Sequence, residues 1–71
     1  MPTIVYNQLS TAEQTLASHK IAVRTKAPQE FIHTLLITMN PYIKIVGKEV
    51  ILFYGTLMRI EEYVRGEFGS G

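Results

Sequence analysis

The most regular pattern of apolar and polar residues in this chain runs from residue 42 to residue 54. Every second residue is apolar in "YIKIV" and again in "EVILFY", which is the period of a β-strand. Only Gly47 and Lys48 separate the two segments, and a two-residue loop with glycine first is typical of a type II′ turn. We therefore predict an antiparallel hairpin whose register begins with Val46 opposite Glu49.

The two faces of this hairpin differ in composition. Side chains alternate between the faces of a sheet, and the first face is wholly apolar, with Ile43, Ile45, Val50, Leu52 and Tyr54. The second face is mixed and carries Tyr42, Lys44, Val46, Glu49, Ile51 and Phe53. We expect the first face to lie in the core. The second holds too much apolar surface to lie bare in water, so a helix or a partner chain is expected to cover part of it.

Two helices are predicted before the hairpin. Ser10 and Glu13 have the spacing of a capping box, which would start a helix over residues 11–18. Residues 28–39 form the clearest helix, with one broad apolar face and a proline suited to the first helical position. Asn40 can end this helix in the left-handed conformation, and the proline that follows forbids continuation.

Three further segments complete the pattern. Residues 3–6 ("TIVY") and residues 20–26 ("KIAVRTK") are predicted as strands, the second because its residues alternate with period two. Continuation of the preceding helix is the alternative for that second segment. A last helix is expected after Thr56, with Gly66 as its natural stop. Residues 69–71 are interpreted as a flexible linker or a cloning remnant.

The element order is therefore β-α-β-α-β-β-α. The first two strands would be parallel and joined by a right-handed crossover, and the hairpin would add two antiparallel strands. We predict one small α/β (α+β) domain over residues 1–68, with a mixed four-stranded sheet and helices on both of its faces.

Composition narrows the class of protein. The chain has 71 residues, of which 46% are hydrophobic and 18% charged, which is typical of a globular domain. The absence of cysteine excludes disulfides and cysteine-bound zinc. No apolar run reaches the roughly 18 residues of a membrane span, and the first residues lack the pattern of a signal peptide, so we expect a cytoplasmic protein. Small domains without disulfides or a structural metal often gain stability by forming oligomers.

No motif indicates catalysis, a cofactor or a metal. The chain lacks a thiolate nucleophile, a Gly-x-Ser-x-Gly sequence and a glycine-rich phosphate loop, and its glutamates are scattered. His19 and His33 have no acidic or cysteine partner at the spacing of metal ligands. We interpret His33 as a plain surface histidine and predict a protein that is not an enzyme.

The second half of the chain, "NPYIKIVGKEVILFYGTLMRIEEYVRGEF", resembles part of the glutaredoxins, the smallest members of the thioredoxin-like superfamily. In that stretch a proline precedes a strand, a Gly-Lys-type turn, a second strand and a closing helix. "TIVYNQ" resembles the first strand of the family. The two redox cysteines are missing, "LFYG" replaces the usual Gly-Gly after the hairpin, and the middle of the chain is shorter. The resemblance implies a thioredoxin-like fold over residues 3–68 that cannot exchange thiols and disulfides.

The resemblance also implies a ligand groove. Pro41 would correspond to the cis-proline of the family, beside which the backbone presents polar groups to an extended peptide or a thiol ligand. By position, the groove would be bordered by Asn7, Gln8, Thr11, Asn40 and Pro41. Without the resemblance, a trans proline that only stops a helix is favoured, because about 5–6% of X-Pro bonds in folded proteins are cis.

The function that we favour from the sequence is a non-catalytic protein–protein interaction or regulatory module, self-associating as a homodimer. It would use the exposed apolar surface of the 42–54 hairpin, because such patches often mark interfaces. The candidate partner-binding residues are Tyr42, Val46, Ile51 and Phe53 on the hairpin and Met58 and Tyr63 on the last helix.

The alternative is a small winged-helix regulator that binds nucleic acid. Helix 28–39 would then be the recognition helix and hairpin 42–54 the wing. The net charge of +1 and the absence of Lys and Arg from that helix argue against a nucleic-acid partner. Residues 20–26 discriminate between the two hypotheses, because a strand there favours the interaction module and a helix favours the winged helix.

Overall fold

The computed structural model describes residues 3–69. A 3₁₀ helix at Tyr6–Gln8 links the first strand to the first helix. The strands and helices, in chain order, are β1 (Ile4–Val5), α1 (Thr11–Thr25), α2 (Gln29–Met39), β2 (Tyr42–Val46), β3 (Glu49–Leu52) and α3 (Tyr54–Phe68). The general prediction of a small mixed α and β fold is confirmed, but the detailed architecture differs from the predicted one.

The sheet has three antiparallel strands in the order β1-β2-β3. Ile4 pairs with Ile43 on one side of β2, and on the other side the hairpin register begins with Val46 opposite Glu49, as the turn predicts. Gly47 has φ of +64°, which is the conformation that the first central residue of a type II′ turn needs. The prediction of four strands in a mixed sheet is wrong, since both pairings are antiparallel.

The missing strand, residues 20–26, is the second half of α1. The capping box at Ser10 is formed in both directions, at 3.2 Å and 3.0 Å, and the helix then continues beyond its predicted end. Ile21 and Ala22 are buried at 3% and 5% exposure, whereas Val23 is 64% exposed. The apolar contacts therefore follow the helical period rather than the alternation of Ile21 with Val23. Lys26 ends α1 in the left-handed conformation.

The last helix is longer than predicted at both ends. The amide of Leu57 donates to the carbonyl of Phe53 at 3.1 Å, so α3 begins at Tyr54 and Thr56 lies inside its first turn. Tyr54 was expected in the core but is 76% exposed. The helix also passes through Gly66 to Phe68, whose ring packs edge-on against Phe31 with ring centroids 4.9 Å apart. Gly69 caps its last turn, and residues 70–71 of the predicted tail lie outside the described residues.

The core lies between the sheet and the three helices. Ile43 and Ile45 of β2 are buried, together with Ile60 of α3. The other members of the buried cluster are Tyr6, Leu9, Ala17, Ile21, Ala22, Ile32, Leu36 and Val64. All three helices contribute to this single cluster, so they lie on the same side of the sheet. The prediction of helices on both faces is therefore wrong.

The described residues lack two further features, a membrane-spanning helix and a cluster of metal ligands. Within residues 3–69, no helix is long and apolar enough to cross a membrane. Over the same range, no three His, Cys, Asp or Glu side chains come together as they would around a metal ion.

Candidate interaction surface

The second face of the hairpin carries apolar side chains that the fold leaves uncovered. We call it the open face and define it by Tyr42, Lys44, Val46, Glu49, Ile51 and Phe53. Strand alternation forces these side chains away from Ile43 and Ile45, which fill the core. Among residues 3–69, no helix packs against them, because the three helices lie on the core side of the sheet.

Four apolar side chains of the open face are each at least half exposed. The exposed fractions are 56% for Tyr42, 50% for Val46, 50% for Ile51 and 63% for Phe53. Tyr42, Ile51 and Phe53 also border one shallow depression of about 90 Å³. The structure therefore brings together the four hairpin residues that the sequence analysis proposed for partner binding.

The open face carries one positive and one negative side chain. Lys44 lies opposite Ile51, and Glu49 lies opposite Val46, so the two charges are diagonal neighbours on adjacent strands. Apart from this pair the face is apolar or aromatic. Charges of both signs at a defined offset on a flat surface can complement a second copy of the same surface turned by a two-fold rotation.

The other two proposed contact residues lie elsewhere. Met58 and Tyr63 belong to α3, on the helical side of the sheet, and are 43% and 50% exposed. Tyr63 borders a shallow groove between α2 and α3, where it lies beside Phe31 and Leu35. A partner that covers the open face would not reach Tyr63, so these six residues do not form one surface.

The groove implied by the resemblance to glutaredoxins is only partly assembled. The amide of Asn7 donates to Oδ1 of Asn40 at 2.9 Å, and the amide of Tyr6 donates to the carbonyl of Pro41 at 2.9 Å. These bonds join the 3₁₀ helix to the start of β2 and occupy polar groups that a ligand would need. Within the described residues every peptide bond is trans, including that before Pro41.

The remaining two groove residues are separate from this contact. Gln8 is exposed at the end of the 3₁₀ helix. Thr11 borders a polar cleft of about 650 Å³ between α1 and α2, together with Gln14, Gln29 and His33. Asn40 does end α2 in the left-handed conformation, with φ of 47°, so that local prediction is confirmed.

A buried polar cluster lies beneath that cleft, and sequence reasoning missed it. Tyr6 is fully buried, and its hydroxyl donates to the carbonyl of Gln14 at 3.1 Å and lies 2.6 Å from Nδ1 of His33. Burial raises the pKa of Tyr6 above its ordinary value, and a hydrogen bond with Ser18 opposes that rise. His33 is half-buried and bonded to the core, so its interpretation as a plain surface histidine is wrong. The only signal in the sequence was its position two residues before the apolar Leu35 and Leu36, which does not identify a partner.

The surface that a winged-helix protein would present is poor in positive charge. The exposed residues of α2 include Gln29, Glu30, Thr34 and Thr38, and the helix contains no Lys or Arg. Its exposed apolar residue is Ile37, at 44%. Such a helix offers hydrogen-bonding groups but no attraction for phosphate.

No family model, curated protein or solved structure gives a significant match to this chain. The comparisons therefore do not bear on the resemblance to glutaredoxins.

Proposed function

We propose that this chain is a non-catalytic protein–protein interaction module that associates with a second copy of itself through the open face. The observation that carries the proposal is the exposure of Tyr42, Val46, Ile51 and Phe53, each at least half exposed on one side of the sheet. Contiguous apolar patches of this kind mark interfaces in soluble proteins, and aromatic residues are enriched at the centres of such interfaces.

The charge pattern supports a second copy as the occupant. Two sheets that pack face to face lie about 10 Å apart, with their inner side chains interdigitated. In a two-fold arrangement whose axis passes midway between Lys44 and Glu49, Lys44 of one copy meets Glu49 of the other, and the reverse. A partner that carried only one sign of charge could pair with only one of these two side chains. The small size of the domain also favours stabilisation by association.

The first test is the mass in solution, measured by light scattering after size-exclusion chromatography over a concentration series. We expect a dimer that dissociates on dilution. Ile51→Lys, on the open face, should shift the mass to that of a monomer, because it places a further, unpaired charge in the contact. Ile37→Lys is the matched control, since Ile37 has a similar exposure but lies on α2.

Two results would contradict the proposal. One is a wild-type chain that stays monomeric at the highest concentration tested. The other is an equal loss of dimer in Ile51→Lys and Ile37→Lys, because the contact would then involve the helical side. Circular dichroism of both variants separates loss of association from loss of folding.

A winged-helix nucleic-acid binder is the second candidate, and one observation favours it. Residues 20–25 are helical, and α1 and α2 are joined by the short turn at residues 26–28 and followed by a hairpin. This order is compatible with a helix-turn-helix and a wing. The lack of positive charge on α2 opposes it, and for that reason we place it second.

Fluorescence anisotropy with a labelled DNA duplex of random sequence tests this candidate directly. Non-specific binding is electrostatic and weakens steeply with salt. Measurable affinity at low salt that falls as salt is added, and that is reduced in Lys48→Ala at the tip of the hairpin, would favour the winged helix. We expect no binding, and the single Lys48 at the tip gives little attraction.

A further inference from the structure

The edge of β3 borders a groove that is separate from the open face. In the strand order β1-β2-β3, no strand among the described residues pairs with the outer side of β3. An unpaired edge presents N–H and C=O groups that can bond to another extended chain. In a hairpin closed by a two-residue loop, Val46 and Glu49 bond to each other, so the backbone groups of Val50 and Leu52 point outwards.

The sequence of β3 does little to block this edge. Natural edges are protected by prolines, bulges or several charged side chains. The four residues of β3 are Glu49, Val50, Ile51 and Leu52, so the strand has one charge and no proline. The register with β2 is continuous over these four residues, without a bulge.

Helix α1 stands beside β3 and leaves a gap of about 320 Å³. Val50 and Leu52 line the gap with apolar side chains, and Ile21 and Leu57 add apolar surface from α1 and α3. Glu49 also borders the gap although its side chain belongs to the open face. The gap therefore runs along β3 from Glu49 to Leu52 on the side of α1, and we call it the edge groove.

Two cations line one wall of the edge groove. Lys20 and Arg24 are separated by one turn of α1, and both are exposed. Glu49 supplies one opposing charge at the hairpin end, so the groove keeps a net positive charge. Tyr54, at the start of α3, stands on the opposite rim with 76% of its surface exposed. An occupant should therefore place an apolar side chain in the gap and a carboxylate beside α1.

We propose that the edge groove binds an extended segment of a partner protein in which every second residue faces α1, and these facing residues are in turn apolar and acidic. The segment adds as a strand to β3, with its main chain bonded to Val50 and Leu52. Strand addition takes its affinity from these main-chain bonds and its specificity from pockets for alternate side chains. Apolar groups of the segment contact Leu52 and Leu57, and its carboxylates pair with Lys20 and Arg24.

A second copy of this chain fits the edge groove less well. If two β3 strands pair in antiparallel fashion around Ile51, the partner's acidic residue falls on the side of the open face and not beside Lys20 and Arg24. The groove would then lack a carboxylate from the occupant. The proposal concerns a different protein and does not depend on self-association through the open face.

The probe is a fluorescein-labelled eight-residue peptide in which leucine and glutamate take every second position in turn and threonine fills the positions between them, measured by fluorescence anisotropy with the full chain. We expect saturable binding, and about fivefold or greater weakening when Lys20 and Arg24 are both changed to Glu. The control is Arg65→Glu, which reverses an exposed charge on α3 away from the groove. A peptide with lysine in place of glutamate should bind the double variant more tightly than the wild-type chain.

Nuclear magnetic resonance gives the geometric readout. Addition of the peptide should slow hydrogen exchange of the amides of Val50 and Leu52, while the amide of Ile51, which already faces β2, should change little. A peptide of the same sequence that is N-methylated at alternate residues cannot complete the ladder and should not protect them.

Three results would overturn the proposal. The first is no binding of the peptide up to about 1 mM, which corresponds to about −4 kcal/mol. The second is equal binding of the methylated peptide. The third is an equal loss of binding in Arg65→Glu and in the double variant. Repeating the titration with Ile51→Lys distinguishes the two surfaces. If that variant is monomeric and still binds the peptide, the edge groove and the open face act independently. Binding that instead requires the dimer is a fourth result, and it would overturn the proposed site.

Discussion

The hydroxyl of Tyr6 lies 2.6 Å from Nδ1 of His33, although 27 residues separate them in the chain. When the hydroxyl proton is donated to the carbonyl of Gln14, the tautomer of His33 that carries its proton on Nδ1 completes the pair by donating to the oxygen of Tyr6. This bond joins the 3₁₀ helix to α2 across α1. It satisfies a polar group at the centre of the core, where an unpaired one would be costly.

Removal of this hydroxyl should destabilise the domain. Tyr6→Phe keeps the ring but removes the hydroxyl that bonds both to the carbonyl of Gln14 and to Nδ1 of His33. We expect the free energy of unfolding to fall by about 1–2 kcal/mol, measured by urea denaturation. Tyr54→Phe is the matched control, since Tyr54 is 76% exposed, and it should change stability by less than about 0.5 kcal/mol. Equal stability of the two variants would contradict the assigned bond.

The same tyrosine should make the fold sensitive to alkaline pH. Burial raises the pKa of Tyr6 above its ordinary value of 10.0. The unfolded chain therefore ionises first, and stability that is fully present below pH 10 is lost as the pH rises towards the folded pKa. The difference in unfolding free energy between wild type and Tyr6→Phe should shrink above pH 10. Parallel pH curves for wild type and Tyr6→Phe above pH 10 would contradict the prediction.

The hairpin turn depends on the conformation of Gly47. Its φ of +64° is costly for a residue with a β-carbon, by about 1–2 kcal/mol. Gly47→Ala should therefore lower the free energy of unfolding by about that amount, although an added β-carbon would meet no atom within 4 Å. Lys48→Ala, at the next position of the same turn, should have little effect in the same urea titration. A neutral Gly47→Ala would show that the turn is not of the assigned type.

Gly66 should behave in the opposite way. It lies inside α3, its φ is not in the left-handed region, and an added β-carbon would meet no atom within 4 Å. Gly66→Ala should raise the thermal midpoint, with a gain of about 0.5–1 kcal/mol, because alanine restricts the unfolded chain and favours the helix. Ala12→Gly, at an exposed position of α1, is the reverse exchange and should lower the midpoint. A destabilised Gly66→Ala would mean that α3 ends before residue 66.

A charge exchange tests the two-fold arrangement of the open face. Lys44→Glu or Glu49→Lys alone should weaken the dimer, because each brings like charges together in both symmetric contacts. We expect an increase of about three- to tenfold in the dissociation constant for each. The double variant should recover most of the affinity, measured by analytical ultracentrifugation. Additive losses in the double variant would exclude this pairing of charges.

Local features of the fold could be predicted from the sequence because residues close in the chain determine them. Glycine at position 47 sets the hairpin turn and register, Ser10 and Glu13 bond to each other across one turn, and Asn40 adopts the left-handed conformation before a proline. The same reasoning placed four apolar residues on one face of the hairpin. Each of these features depends on a backbone preference or on a contact between residues close in the chain, and little on the rest of the fold.

Only the tertiary structure decided the features that depend on distant contacts. The alternation of Ile21, Val23 and Thr25 fits a strand, yet burial of Ile21 and Ala22 against the core makes the segment helical. That change removes one strand and places α1 beside β3, where both border the edge groove. The bond between Tyr6 and His33 likewise requires α1 and α2 to be packed first. Local periodicity determined which side chains share a face, whereas the packing of the helices on one side of the sheet decided which face stays exposed.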